Sequence, residues 1–145
     1  VPEEEYTIPI GVADVKREGS DVTIVSFGKM MKVALAAADE LAKDDINAEV
    51  IDLRTVRPID YKTLIESVKK TNRMVVVEEA WPLASISAEL AYHIQSNAFD
   101  YMDAPVKRVT CRDVPLPYAP TLIEASLPNV ERTIEAVKQV MYKKA

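Results

Sequence analysis

The sequence holds one cysteine, Cys111, one histidine, His93, one tryptophan, Trp81, and only three glycines in 145 residues. A single cysteine excludes an internal disulfide framework, and one cysteine with one histidine leaves too few soft ligands for a Cys/His zinc site. A reducing compartment is compatible with that usage. Three glycines give little material for a nucleotide cradle, which needs the backbone to approach a phosphate closely. Long apolar runs are missing too, and none nears the roughly 20 residues that a membrane span requires. Nor is there an excess of positive charge. The net charge is −5, so neither nucleic acid nor a membrane is expected as a partner, whereas a basic protein surface is compatible.

What is present is a globular composition, 48% apolar and 28% charged, on a chain long enough for one domain with its own core. The opening Val1-Pro2-Glu3-Glu4-Glu5 has no initiator Met and no apolar signal segment, so a piece of a longer chain is expected.

Strand and helix signals alternate. "VTIVSF" at 22–27 is β-branched and aromatic, and after Gly28 the residues Met30, Val33, Ala37 and Leu41 recur at helical spacing. "AEVIDL" at 48–53 precedes a helix capped by Asp60, with Leu64, Ile65 and Val68 on one face. "RMVVVE" at 73–78 precedes a helix with Leu83, Ile86, Leu90 and Ile94 on its core face. "VKRVTC" at 106–111 is a fourth strand of this series, and Asn129 caps a closing helix through Val130, Ile134, Val137 and Met141. "VADVKR" at 12–17, with a turn at Gly19, adds a strand in front. The expected fold is α/β: a three-layer α/β/α domain with a mixed, mostly parallel sheet of about five strands, the first antiparallel. The segment 113–128, with prolines at 115, 117, 120 and 128, reads as a long functional or interface loop.

Glu78 and Glu79 alternate faces while strand geometry lasts, so they are no acid/base dyad; a charged rim at a strand end is the expectation. One of them can still lie at the carboxyl end of the sheet, where open α/β folds place ligands. Trp81-Pro82 reads as an anchor in a packed interface. Gly28 fits a tight strand-to-helix turn, since "SFGKMM" lacks the further glycines or the Gly-Lys-Ser/Thr of a phosphate loop. His93 follows Glu89 by one helical turn with no nucleophile in a recognisable motif, so a solvated or interfacial imidazole is expected. Cys111 beside Arg112 is a small hydrophobe unless something lowers its pKa. Arg54 and Arg57 can clamp an anion or pair with Asp52 and Asp60 to fix their loop, and the second is favoured.

Taken together, "IPIG" (8–11), "GSDVTIVSFG" (19–28), "AEVIDLRTVRPID" (48–60), "KTNRMVVVEEAWP" (70–82), "DAPVKRV" (103–109) and "DVPLPYA" (113–119) resemble one known family. It is the C-terminal, transketolase-like domain of the beta subunit of thiamine-dependent 2-oxo acid dehydrogenases. The last two stretches are more similar to the pyruvate member than to the branched-chain member. The resemblance covers nearly the whole chain and implies a single domain over 1–145, with residues 1–11 a linker from an upstream domain. It implies an enzyme that decarboxylates pyruvate on thiamine diphosphate and passes the acyl group to lipoyl groups of an acyltransferase core. Thiamine diphosphate and Mg²⁺ belong to the whole enzyme, and this piece, predicted inactive alone, binds neither.

Its implied partners are the alpha subunit or alpha region, a second beta subunit and the dihydrolipoyl acyltransferase. Asp103 and the terminal carboxylate of Ala145 are the implied contacts with the basic subunit-binding domain of the acyltransferase. Glu79, Trp81, Pro82 and Leu83 are implied at a subunit interface. The implied location is cytoplasmic for a bacterial source, and mitochondrial matrix or plastid for a eukaryotic one. Relatives often carry glycines after Trp-Pro, where this chain has Ala84 and Ser85, so Ser85 is expected to cap the next helix. The competing readings are the matching domain of a branched-chain enzyme, a transketolase or a deoxyxylulose phosphate synthase. A stand-alone small hydrolase or ligand-binding domain using Glu79, His93 or Arg57 is a further alternative.

Overall fold

The apolar runs become strands β1 (Asp14–Arg17), β2 (Val22–Ser26), β3 (Ala48–Asp52), β4 (Met74–Val77) and β5 (Lys107–Val109) in a computed structural model that describes residues 3–143. They form one sheet in the order β1-β3-β2-β4-β5. β1 runs antiparallel to β3, and all other pairings are parallel. This is the expected mixed sheet.

Among the described residues, five α-helices complete the fold, with short 3-10 turns at Gly28–Met30 and Phe99–Tyr101: α1 (Met31–Ala42), α2 (Tyr61–Thr71), α3 (Ile86–Ala98), α4 (Pro120–Ser126) and α5 (Val130–Val140). Every residue of β2 and β4 is buried, as a strand covered by helices on both faces requires. One core layer joins Val22, Ile24, Val50 and Val75 to Ala34, Ala38 and Leu41 of α1 and to Val137 of α5. The other joins Val25, Ile51 and Val76 to Leu64 and Val68 of α2 and to Leu90 and Ile94 of α3. Each such fully buried aliphatic contributes roughly 1.5–3 kcal/mol over its exposed state, so the two layers fix which face each helix presents.

Local signals set the helix starts. Asp60 accepts from the Thr63 N–H (3.1 Å) and Thr63 Oγ1 (2.7 Å), and Asn129 accepts from the Arg132 N–H (2.9 Å). α2 ends with Asn72 at φ 60°, a left-handed C-cap. Gly19 sits against the β3 backbone, where a Cβ would overlap the Ala48–Glu49 peptide, so the turn before β2 needs glycine.

Three expectations need correction. α3 begins at Ile86, so Leu83 is not on its core face and is 84% exposed; Pro82 and Ala84, at φ 53°, break the helical path before it. The segment 113–128 contains a helix, α4, with Pro120 in its first turn. The strand ends are shorter than read, with β4 closing at Val77 and β5 at Val109.

A buried polar belt escaped the sequence reading. Thr23 in β2 bonds Ser67 (2.6 Å) and Thr71 (2.7 Å) of α2, Ser67 Oγ donates to Glu49 Oε1 (2.5 Å), and Lys70 pairs with Glu49. Glu49 is 2% exposed. Burial works against its charge, but hydrogen bonds from Lys70 and Ser67 outweigh it and hold the carboxyl below its ordinary value. The same bond, donated by Lys70 to Glu49, outweighs the cost of burial and raises Lys70. The belt ties α2 to the sheet with a paired charge.

Candidate functional site

Parallel strands deliver the ends of β2, β3, β4 and β5 to one edge of the sheet, the carboxyl edge. The β4–α3 loop there carries Glu79, Trp81, Pro82 and Leu83. The Trp81 ring is 57% exposed, and its Nε1–H donates to the Val114 carbonyl (3.0 Å). Arg108 donates to the Pro82 carbonyl (2.8 Å), and the Cys111 N–H to the Ala80 carbonyl (2.9 Å). Glu79 lies 3.9 Å from Lys29 in the β2–α1 turn. Ties from β5 and the strap after it therefore hold the loop while its apolar side chains face outward.

Those side chains do not stand alone. Val114, Leu116, Tyr118 and Leu122, in the strap and α4, are also exposed, Tyr118 by 98%. A half-open, mostly apolar cleft of about 290 Å³ runs between Trp81, Cys111, Val114, Leu116 and Leu127. An exposed apolar group of this kind, with Trp at its centre, is the composition of a protein contact.

Glu78 is a correction to the charged-rim expectation. It is 1% exposed, and its Oε1 accepts from the Ser87 N–H (3.1 Å), while Oε2 has no hydrogen-bond partner among the described residues. Ser85 occupies the N-cap position of α3 but makes no side-chain cap bond, so Glu78 supplies the acceptor for the first turn from the strand end. Adjacent carboxylates thus point to different surroundings, one buried in the fold and one at the surface.

Gly28, at φ 58°, makes the tight turn, and a Cβ there would meet nothing within 4 Å, so the left-handed backbone and not crowding favours glycine at this position. Cys111 is pushed above its ordinary pKa by burial and then by the Glu79 charge, which removes the reactive reading. Arg54 pairs with Asp14 (2.6 Å) rather than with the Asp52 carboxylate, which accepts the Arg54 N–H instead (2.9 Å). Asp60 is occupied by Thr63 and by the Ala13 N–H (3.0 Å), so the expected pairings of the loop arginines with Asp52 and Asp60 are not formed.

Arg57 lines a broad cleft with Tyr61, Ile86 and Glu89. Tyr61 donates to Glu89 (3.2 Å) and stacks on His93 at 3.6 Å between centroids. Glu79 is in the Trp81 cleft instead, so the three residues of the hydrolase alternative do not share one site. His93 has a ring partner and no nucleophile.

Asp103 lies at the other end of the sheet. β5 starts opposite the start of β4, so the residues before it sit at the amino edge. The Asp103 N–H donates to the Asn72 carbonyl (2.9 Å), and its own carbonyl accepts from Tyr142 Oη (3.0 Å). Its carboxylate is 52% exposed and pairs with Arg73 (2.8 Å). Arg73 and Tyr142 were not singled out from the sequence, because their partners are 30 and 39 positions away. Ala145 lies outside the described residues. No group of three His, Cys, Asp or Glu able to hold a metal occurs among the described residues, and none of their helices is long and apolar enough to cross a membrane.

Comparison with known proteins agrees with the geometry. Residues 11–133 match the family described as "Transketolase, C-terminal domain". The pyruvate dehydrogenase E1 component subunit beta of Rickettsia felis is 53% identical over 98% of this chain and 44% of its own length. The mitochondrial subunit of that name from Dictyostelium discoideum is 48% identical over 95% of this chain and 39% of its own. A solved structure, a split gene transketolase described as an inactive beta4 tetramer, superposes with a TM-score of 0.85 at 30% identity, over 97% of this chain and 45% of that one. The chain spans less than half the length of the curated relatives it matches.

Proposed function

This chain belongs to the transketolase C-terminal domain family, and on that premise we propose that it is the assembly and docking domain of a pyruvate dehydrogenase decarboxylating component. The whole enzyme decarboxylates pyruvate oxidatively and transfers acetyl to lipoyl groups, with thiamine diphosphate and Mg²⁺ held by other domains. The names of the relatives support this substrate over the branched-chain, transketolase and deoxyxylulose phosphate alternatives. They include bacterial and mitochondrial proteins, which fits a cytoplasmic or a mitochondrial matrix location according to source.

The observation that carries the proposal is the carboxyl edge. Where an open α/β fold places its ligand, this chain puts an anchored apolar loop and, among the described residues, no set of reacting groups. The reading that the cofactor is held by other domains is supported by the acidic side chains, which do not gather into a metal site among the described residues. The loop suits a second beta subunit or the alpha subunit, and the tetrameric neighbour shows a related chain assembling with copies of itself. The Asp103 corner, at the opposite edge, is left for the basic subunit-binding domain of the acyltransferase, with Ala145 as the second contact.

The test uses the intact component. Trp81→Ala with Leu83→Asp should lower its mass in sedimentation by separating subunits, while the circular dichroism of this domain is retained; full-mass assembly would refute the role of the edge. Asp103→Asn should weaken calorimetric binding of the subunit-binding domain.

A further inference from the structure

We propose that Arg73 is a built-in counter-ion that sets the strength and the salt dependence of docking at Asp103, an inference that rests on the docking role assigned above. The Arg73 Nη2 lies 2.8 Å from Asp103 Oδ2, with the arginine side chain 25% and the aspartate 52% exposed. Arg73 is not free to swing away, because its Nε–H donates to the Val140 carbonyl at the end of α5 (3.2 Å). Asp103 is fixed as firmly, by Asn72 and Tyr142 through its backbone. The carboxylate is therefore both presented and already satisfied.

A cationic side chain arriving from a partner meets two consequences. It must share or replace the guanidinium at Oδ2, and it approaches a fixed like charge. An intramolecular ion pair of this exposure contributes up to about 1 kcal/mol, which corresponds to roughly a five-fold change in affinity. Arg73 thus holds docking below what the bare carboxylate would give, and favours a partner whose own fork can bond the remaining oxygen. Removing the charge makes the corner more negative by one, so attraction strengthens and becomes more sensitive to screening.

The experiment is calorimetric titration of the intact component with the isolated basic subunit-binding domain at several salt concentrations. Arg73→Gln should tighten binding about two- to five-fold and steepen its loss with salt, whereas Arg73→Lys, which keeps the charge, should stay within about two-fold of the parent. In an Asp103→Asn background the Arg73→Gln gain should vanish. Unchanged or weaker binding by Arg73→Gln, with Asp103→Asn still weakening it, overturns the inference alone. Binding that ignores Asp103→Asn overturns the docking role and the inference with it.

Discussion

Ala84 offers a sharp test of how the β4–α3 loop is held. It sits at φ 53° between Leu83 and the start of α3. An L-residue in that left-handed region costs roughly 1–2 kcal/mol, because Cβ crowds the following carbonyl. Glycine removes the crowding but loses more backbone freedom on folding, about 0.5–1 kcal/mol. The first effect wins, so Ala84→Gly should stabilise the domain by about 0.5–1 kcal/mol, a rise in Tm of about 2 °C for a domain of this size. Ala84→Val should do the reverse, since a β-branched residue tolerates positive φ worst. Scanning calorimetry of the three proteins reads both signs. A lower Tm for Ala84→Gly, or a neutral Ala84→Val, would refute the claim that this residue carries backbone strain.

Asp60→Ala removes the cap of α2 and the acceptor for Ala13, and should cost about 2 kcal/mol in urea denaturation, whereas Asp60→Asn should keep much of the cap. Acid should destabilise the domain through Glu49 and Asp60. Both folded carboxyls lie below their ordinary values of 4.5 and 3.8, in each case because hydrogen bonds outweigh the opposing effect of burial. Their contribution is therefore complete above those values and is lost as pH falls through the folded pKa, so stability should fall from about pH 4.5 downward. Glu49→Gln should flatten that fall. Cys111 should react with a disulfide reagent at pH 8 more slowly than a free thiol, and unfolding in urea should abolish the difference.

The strand-helix alternation and the caps at Asp60 and Asn129 were legible in the sequence because each rests on residues within a few positions of one another; the antiparallel first strand, whose partner β3 lies more than 30 residues on, was expected from the order of the elements and not from a local signal. Leu83 was misplaced because it matches the helical spacing of Ile86 and Leu90, while the positive φ of Ala84 has no signature in an alanine. Glu78 and Glu49 look like surface charges in a linear reading; tertiary packing buries them against Ser87 and Ser67. Arg54 found Asp14, 40 residues away, instead of its neighbour Asp52. At the carboxyl edge, Trp81 announced itself by type. Val114, Leu116, Tyr118 and Leu122 did not, since apolar residues among prolines have no period to read.

The reversed direction of β1 has a mechanical consequence. Because Asp14 pairs with Asp52 at the carboxyl edge, the polypeptide before it runs along that rim, tied by Gly11 to Thr55 and by Ala13 to Asp60. Any pull transmitted through those residues is borne at the carboxyl edge on the β1–β3 side of the sheet, two strands away from β4 and the Trp81 loop, while the Asp103 corner is sheltered from it by the length of the strands. On the proposed docking role, a carrier bound at the sheltered end would come and go without loading the strand ends at the other.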